Sequence, residues 1–304
     1  MTTSHTDKID VLLSTDVGAE MDDQWAIAHL TLQPRIHLLG IVTTHTPYLT
    51  AQRSAEIARE VLSHLPIAQK PPVIPGSSTP LESRDQPHRN EGIDFIIETA
   101  RRYSSHRPLI LLTIGAATDA ASALLHDPSL TERVRVVSMA FHSVEGGGRE
   151  FNVQNDPKAW QVILDAPVAL TIGPAVTCIR DLTMSLEQAQ SLLADCGEAG
   201  EYLVGLLRWW LNARPETVQG VTGRRDAWPI WDEIVTAHLL GLTETETLPR
   251  PHLRDNLDLE FAPRDGHPRP TVKWIRAVRA DALWQDLIHH LRHAYEGEHN
   301  RQGG

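Results

Sequence analysis

Short apolar runs alternate along the chain with longer segments in which apolar residues recur every three or four positions. The runs are typical of strands buried on both faces, and the periodic segments are typical of helices. Predicted strands cover residues 11–15, 36–43, 72–76, 109–114, 134–139, 167–172, 256–261 and 271–278. Helices are predicted after most of these strands, and further helices at residues 185–195, 200–212 and 230–242. Repeated strand-helix-strand units predict an α/β fold built on a parallel sheet.

Residues 66–92 interrupt this pattern, because they are rich in Pro, Ser, Gly and charged side chains. We interpret the segment as a long loop and not as a linker between domains, since strands and helices of the same kind resume directly after it. The chain is therefore predicted to form one domain over residues 1–304, with its core at residues 9–292. His88 in this loop is a candidate for ligand contact, although an exposed loop residue is the simpler interpretation.

An acidic turn follows the first predicted strand. Asp16 ends the strand, Gly18 allows the turn, and Asp22 and Asp23 open the next helix. Like charges this close are unfavourable unless a cation neutralises them, and an all-oxygen cluster suits a hard ion such as Ca²⁺ or Mg²⁺. The carboxyl ends of strands are also where open α/β sheets bind ligands. Capping of the helix by Asp22 is the alternative, but it does not account for Asp16.

His45 follows the second predicted strand, which lies beside the first in a parallel sheet. Its side chain could therefore border the acidic turn and contact a ligand. A strand-end histidine without a ligand explains the position equally well. The glycine-rich stretch at residues 145–150 lacks the Gly-Lys-Ser/Thr of a phosphate-binding loop, which argues against a phosphotransferase.

Composition is that of an ordinary globular protein, with 41% hydrophobic and 22% charged residues. The formal net charge of −11 argues against a general binder of nucleic acids or anionic membranes, because phosphate binding needs clustered Lys and Arg. Cys178 and Cys196 form neither a disulfide framework nor a zinc pattern. Residues 1–8 lack the apolar core of a signal peptide, and no apolar run is long enough to span a membrane. The predicted location is the cytoplasm.

Four stretches, in order along the chain, resemble the signatures of the inosine-uridine nucleoside hydrolase family. They are a strand with Asp16-Val17-Gly18 and then Asp22-Asp23 at residues 11–28, a strand with Gly-x-x-Thr-Asp at 111–121, Glu-Phe-Asn-x-x-x-Asp-Pro at 150–157, and an aspartate opening a helix at 228–235. The resemblance covers residues 9–292. It implies an open, mostly parallel sheet flanked by helices and the hydrolysis of the N-glycosidic bond of ribonucleosides.

The resemblance also implies roles for individual residues. Ca²⁺ would be held by Asp16, Asp23, Asp232 and the main-chain carbonyl of Ile114, and Asp16 would act as the general base. The sugar hydroxyls would be bound by Asp22, Glu150 and Asn152. Trp231 would stack on the base, which favours purines. The substrate would be a small-molecule nucleoside, and the protein a homodimer or homotetramer.

The sequence departs from the family pattern at several positions. Glu20 and Met21 lengthen the acidic turn, Asp119 replaces an asparagine, and Trp231 stands where many members have a histidine that protonates the leaving base. We therefore expect stacking by Trp231 to activate the leaving base. The second choice is His45 or His88 acting as an acid. These departures also leave open a metal-dependent sugar- or nucleoside-binding protein that has lost turnover.

Overall fold

Eight strands form one sheet, and helices cover both of its faces in the computed structural model. The structure describes residues 8–261 and 269–302, and the polar start at residues 1–7 lies outside this part of the chain. The strands are Ile9–Thr15 (β1), Ile36–Thr43 (β2), Val73–Pro75 (β3), Leu109–Thr113 (β4), Val134–Met139 (β5), Ala169–Gly173 (β6), Thr183–Ser185 (β7), Ala227–Pro229 (β8), Thr243–Pro249 (β9), His252–Leu253 (β10), Leu259–Glu260 (β11) and Thr271–Val278 (β12). The helices are Asp23–Leu32 (α1), Ala51–Ser63 (α2), Glu91–Ala100 (α3), Thr118–His126 (α4), Phe151–Asn155 (α5), Pro157–Asp165 (α6), Ala175–Asp181 (α7), Leu186–Leu192 (α8), Gly197–Ala213 (α9), Pro215–Thr222 (α10), Glu233–Leu239 (α11) and Ala280–Gln302 (α12).

The sheet has the strand order β3-β2-β1-β4-β5-β6-β12-β9. Neighbouring strands are parallel except for β9, which pairs antiparallel with β12 at one edge. This confirms the open, mostly parallel sheet. The order of the strands reverses between β1 and β4, and open α/β sheets bind ligands in the crevice at such a reversal.

The core consists of two apolar layers, one on each face of the sheet. Val11 and Leu13 of β1 face a layer that includes α1, α2, α9, α11 and α12, whereas Leu12 faces a layer with α3, α4 and α6. Successive strand residues point to opposite faces, so a continuous apolar run fills both layers. The central strands are thereby fixed in position up to the residues where they end.

Several elements differ from the sequence prediction. The strand predicted at residues 256–261 is wrong in extent, because only Leu259–Glu260 pairs, with β10 in a short hairpin. The edge strand β9 and the helices α5 and α10 were not predicted. None of the helices within the described residues is both long and apolar enough to cross a bilayer.

The loop at residues 66–92 contains the predicted third strand, β3, and is attached to α4 through Asp119. The carboxylate of Asp119 accepts hydrogen bonds from the backbone N–H and the hydroxyl of Ser77, at 2.9 and 2.8 Å, and from Asn90 at 3.2 Å. Asp119 lies in the first turn of α4 and is buried. The acid that replaces the family's asparagine therefore anchors the loop.

Candidate active site

The acidic turn begins directly where β1 ends. Gly18 adopts φ +102°, a conformation that residues with a Cβ rarely adopt, and an added Cβ would also require the side chain of Ile57 to shift. The carbonyl of Asp16 accepts a hydrogen bond from the N–H of Ala19 at 3.0 Å. The Ser54 hydroxyl donates to the carbonyl of Val17, also at 3.0 Å. These contacts close the turn and direct its carboxylates towards the carboxyl edge of the sheet.

Three buried carboxylates meet above this edge. Oxygen atoms of Asp22, Asp23 and Asp232 all lie within 4.8 Å of one another. Asp22 is the residue that precedes α1, but its side chain makes no capping hydrogen bond. Its Oδ2 instead accepts from the backbone N–H of Asp232 at 3.3 Å, and the Thr15 hydroxyl donates to Asp23. Helix capping therefore does not explain Asp22.

Asp16 lies beside these three carboxylates. Its Oδ2 is buried and has no hydrogen-bond partner within the described residues. Gly115 makes room for it, since an added Cβ would lie 2.8 Å from Oδ1 of Asp16. Ile114, whose carbonyl was predicted as a ligand, lines the same cavity. The structure thus brings together Asp16, Asp23, Asp232 and Ile114. Asp22 joins Asp23 and Asp232 in the compact group of three carboxylates.

Burial and mutual repulsion raise the pKa values of these acids. Burial raises the pKa of Asp16 well above its ordinary value, and Asp23 and Asp22 raise it further. The pKa of Asp232 rises for the same reasons, burial first and then the charge of Asp22. A bound cation would lower these pKa values again, because an opposite charge favours the ionised carboxylate. An all-oxygen set with an unpartnered buried oxygen fits a hard divalent metal.

A cavity of about 420 Å³ opens from the carboxylates. It is lined by six acids, Asp16, Glu20, Asp22, Asp23, Glu150 and Asp232, and also by Ile114, Asn152, Trp228, Trp231, Val221 and Arg149. Such a volume lies within the range of sites for small molecules. All of the predicted metal and sugar residues border this one cavity.

Glu150 and Asn152 form one wall of the cavity. Glu150 precedes α5 and accepts from the backbone N–H groups of Asn152 and Val153, at 2.8 and 3.1 Å. Burial raises its pKa to about 7, against the effect of those hydrogen bonds. The amide nitrogen of Asn152 donates to the carbonyls of Ile114 and Met139, at 3.2 and 3.1 Å. Both side chains are therefore held in place before any ligand binds.

Trp231 and Trp228 form the opposite wall. Trp231 is partly buried, lines the cavity, and makes an edge-to-face contact with the fully buried Trp228, with ring centres 5.6 Å apart. Both indole N–H groups donate to Oε2 of Glu20, at 3.1 Å from Trp228 and 3.2 Å from Trp231. Burial raises the pKa of Glu20 to about 7, while the two indole hydrogen bonds oppose the shift.

Glu20 is the residue that sequence reasoning assigned only to the length of the turn. Its partners are 208 and 211 positions away, so no local pattern could have indicated the contact. The available signal was the unusual length of the turn, which carries an extra carboxylate into the cavity.

His45 and His88 are not brought to the cavity lining within the described residues. Nε2 of His45 lies 3.0 Å from the hydroxyl of Thr118, which in turn donates to Asp156 at 2.7 Å. The N–H of His88 donates to Ser122, and its carbonyl lies 2.8 Å from Nε2 of His126. The imidazole of His45 thus has a partner in α4, and His88 is attached to the same helix through its backbone.

Comparison with solved structures places this architecture among nucleoside hydrolases. A purine-preferring ribonucleoside hydrolase from Gardnerella vaginalis aligns with a TM-score of 0.77 at 17% identity, over 94% of this chain and 98% of that chain. A plant nucleoside hydrolase aligns with a TM-score of 0.73 at 18% identity, over 93% and 99%. An inosine-uridine preferring nucleoside hydrolase from Bacillus anthracis aligns with a TM-score of 0.67 at 15% identity, over 93% and 99%. At these identities the likeness establishes the fold alone.

Sequence comparison supplies the family. A search of curated proteins finds no match. The family model described as inosine-uridine preferring nucleoside hydrolase matches residues 11–285, which is most of the chain and includes the acidic turn, Glu150, Asn152 and Asp232. The chain therefore belongs to the inosine-uridine preferring nucleoside hydrolase family, whose members are N-glycosyl hydrolases.

Proposed function

We propose that the protein hydrolyses the N-glycosidic bond of ribonucleosides and releases the base and ribose. The observation that carries this proposal is the unpartnered Oδ2 of Asp16, which lies buried in the cavity beside Asp22, Asp23 and Asp232. Asp16 lines this substrate-sized cavity, and a carboxylate that has an oxygen without a hydrogen-bond donor can serve as a general base there.

In the proposed reaction a water molecule attacks C1′ of the ribose, and Asp16 accepts the proton that the water loses. The bond between C1′ and the base nitrogen breaks, and its electron pair leaves with the base. The transition state resembles an oxocarbenium ion, as in other glycoside hydrolyses. The carboxylates around C1′ favour the positive charge that develops there.

Ca²⁺ is the cation that we propose for the acidic cluster, with Asp16, Asp23, Asp232 and the Ile114 carbonyl as ligands. A bound divalent cation lowers the pKa of water at the site. Asp22 is proposed as a contact to the sugar, and its place in the compact group of carboxylates also makes it a candidate for a further metal ligand. Glu150 and Asn152 are proposed to bind the ribose hydroxyls, because a carboxylate and an amide supply both acceptors and donors.

Trp231 is proposed to stack on the base and to favour purines. Its ring lines the cavity, and one structural neighbour is described as purine-preferring. The proposal gives no acid role to His45 or His88, since neither borders the cavity within the described residues. Cytoplasmic location and assembly as a homodimer or homotetramer stay predictions from the sequence.

The deciding experiment measures release of reducing sugar from inosine, adenosine, guanosine, uridine and cytidine, with and without a chelator. Sugar release that the chelator abolishes and Ca²⁺ restores supports the proposal. Binding of inosine by calorimetry without any sugar release would instead support a nucleoside-binding protein that has lost turnover. The replacement of the family's histidine by Trp231 is the feature that favours this second function.

A further inference from the structure

The cavity holds one more acidic side chain than the proposed reaction uses. Of the six acids that line it, five are used by the proposed metal and sugar contacts, and Glu20 is left without a role. A divalent cation would offset two negative charges among them. The single Lys or Arg among the lining residues that the structure describes is Arg149, whose guanidinium is paired with Asp258 at 2.7 Å.

Glu20 is held on the side of the cavity where the base is proposed to lie. One of its carboxylate oxygens accepts from both indole N–H groups, of Trp228 and Trp231. Trp231 is also the residue proposed to stack on the base. The base would therefore meet the face of an indole ring next to a carboxylate. An aromatic face and a carboxylate both attract a cation.

We infer that the site takes ribonucleosides whose base carries a positive charge, such as N7-alkylpurine ribonucleosides, and that Glu20 is the residue that selects them. The inference rests on the proposed function and names its substrate class. An anionic or phosphorylated ligand is disfavoured at this site, because it would lie among the same carboxylates.

Such a substrate needs no acid at the leaving base. In 7-methyladenosine the base is a cation at neutral pH, so the electron pair of the breaking bond between C1′ and N9 neutralises the ring. Water adds its oxygen to C1′ and gives one proton to Asp16, and the products are ribose and neutral 7-methyladenine. No group has to protonate the leaving base. A neutral base such as hypoxanthine would leave as an anion unless an acid protonated it, and Trp231 cannot do so.

The first test compares kcat/KM for 7-methyladenosine and adenosine, each divided by its uncatalysed hydrolysis rate. We expect the wild-type protein to prefer the cation by at least about tenfold on this corrected scale, and Glu20→Gln to lower the preference by about the same factor. Glu145→Gln is the matched control, because this exposed residue lies outside the cavity lining and loses the same charge. It should keep the wild-type preference.

The second test measures binding without turnover. Calorimetry should show that 1-methylnicotinamide, a cation, binds with a Kd at least about tenfold lower than that of neutral nicotinamide. Glu20→Gln should remove this difference in Kd. The wild-type measurements stand even if the variant does not fold. If the charged and neutral nucleosides have equal corrected rates, and the charged and neutral nicotinamides bind equally well, the inference is wrong but the proposed hydrolase function still holds. If neither nucleoside is hydrolysed, the proposed function is wrong as well.

Discussion

The acids of the site differ in how each carboxylate is held, although burial is the first cause of the raised pKa of all six. Asp23 accepts from Thr15, and Glu150 accepts from the backbone at the start of α5. Glu20 accepts from two tryptophans, whereas Oδ2 of Asp16 accepts from none of the described groups. The unpartnered acid is therefore the one best suited to accept a proton from water.

Replacing Asp16 by asparagine should lower kcat by about 10² to 10⁴-fold, the usual contribution of a general base. The amide keeps the shape of the side chain but cannot accept the proton. KM for inosine should change much less than kcat. Steady-state kinetics at saturating Ca²⁺ measure both values, and a variant with unchanged kcat would remove Asp16 from the proposed role.

Replacing Trp231 by alanine should weaken the preference for purines. An aromatic pair contributes roughly 1 kcal/mol beyond buried area, so the ratio of kcat/KM for inosine over uridine should fall by about fivefold. Trp209→Ala is a suitable control, since that tryptophan is exposed and does not line the cavity. A wild-type protein that prefers uridine would contradict the stacking role.

The proposed contacts to the ribose hydroxyls can also be tested by single replacements. Glu150→Gln should raise KM for ribonucleosides, and 2′-deoxyinosine should be a poorer substrate than inosine in the wild type. These expectations follow from hydrogen bonds that a sugar hydroxyl makes only with a fixed acceptor and donor. Equal kcat/KM for inosine and 2′-deoxyinosine would contradict a contact to the 2′-hydroxyl.

Among the elements, three helices are joined by a buried polar network next to the acidic cluster. His29 of α1 is fully buried, with Nδ1 at 2.9 Å from Glu233 of α11 and Nε2 at 2.9 Å from Asp286 of α12. Gln33 donates to Asp286 at 2.6 Å, and His290 lies 3.6 Å from the same carboxylate. Burial lowers the pKa of His29, but the two carboxylates dominate and raise it to about 9.

This network predicts a pH-dependent part of the stability. A histidine whose pKa is raised on folding stabilises the protein fully below its unfolded pKa, near 6.5, and this stabilisation is lost as pH rises through about 9. His29→Gln should therefore cost more stability at pH 6 than at pH 9.5, by on the order of 3 kcal/mol at most. Urea unfolding of both proteins at the two pH values measures the difference.

The matched control is His106→Gln, because His106 is exposed and its replacement should change stability little at either pH. A cost for His29→Gln that is the same at pH 6 and pH 9.5 would show that His29 contributes only by packing.

Predictability also differs between elements. The inner strands were visible as apolar runs because they are buried on both faces. The edge strand β9 was not, since most of its residues are exposed and its sequence alternates Thr and Glu. Helix α10 buries only Val218, so its position depends on contacts made elsewhere in the fold. Local pattern therefore predicted the layers that position the site but missed α10, which supplies Thr217, Gly220 and Val221 to the cavity.

At the scale of the whole molecule, the site joins distant parts of the chain. Asp22 and Asp23 lie at the start of α1, and Asp232 directly precedes α11, 209 residues beyond Asp23. The resemblance to the family signatures predicted that Asp23 and Asp232 meet, and it assigned Asp22 to the sugar. The contacts between Glu20 and the tryptophans were not predictable, because they depend on how the longer turn packs against Trp228 and Trp231.

A cation that links these segments should stabilise the folded chain. A ligand that binds only the native state at 100 times its Kd adds about 2.7 kcal/mol. We therefore expect Ca²⁺ to raise Tm and a chelator to lower it, because the cation relieves repulsion among buried carboxylates that the unfolded chain does not hold together. Differential scanning calorimetry across a Ca²⁺ titration measures the shift in Tm.

Asp232→Asn should abolish most of this Ca²⁺-dependent shift in Tm. Glu244→Gln, which replaces an exposed residue of β9, should leave the shift unchanged. A Tm independent of Ca²⁺ in the wild type, or an equal shift in Asp232→Asn, would mean that no cation bridges the start of α1 and the start of α11.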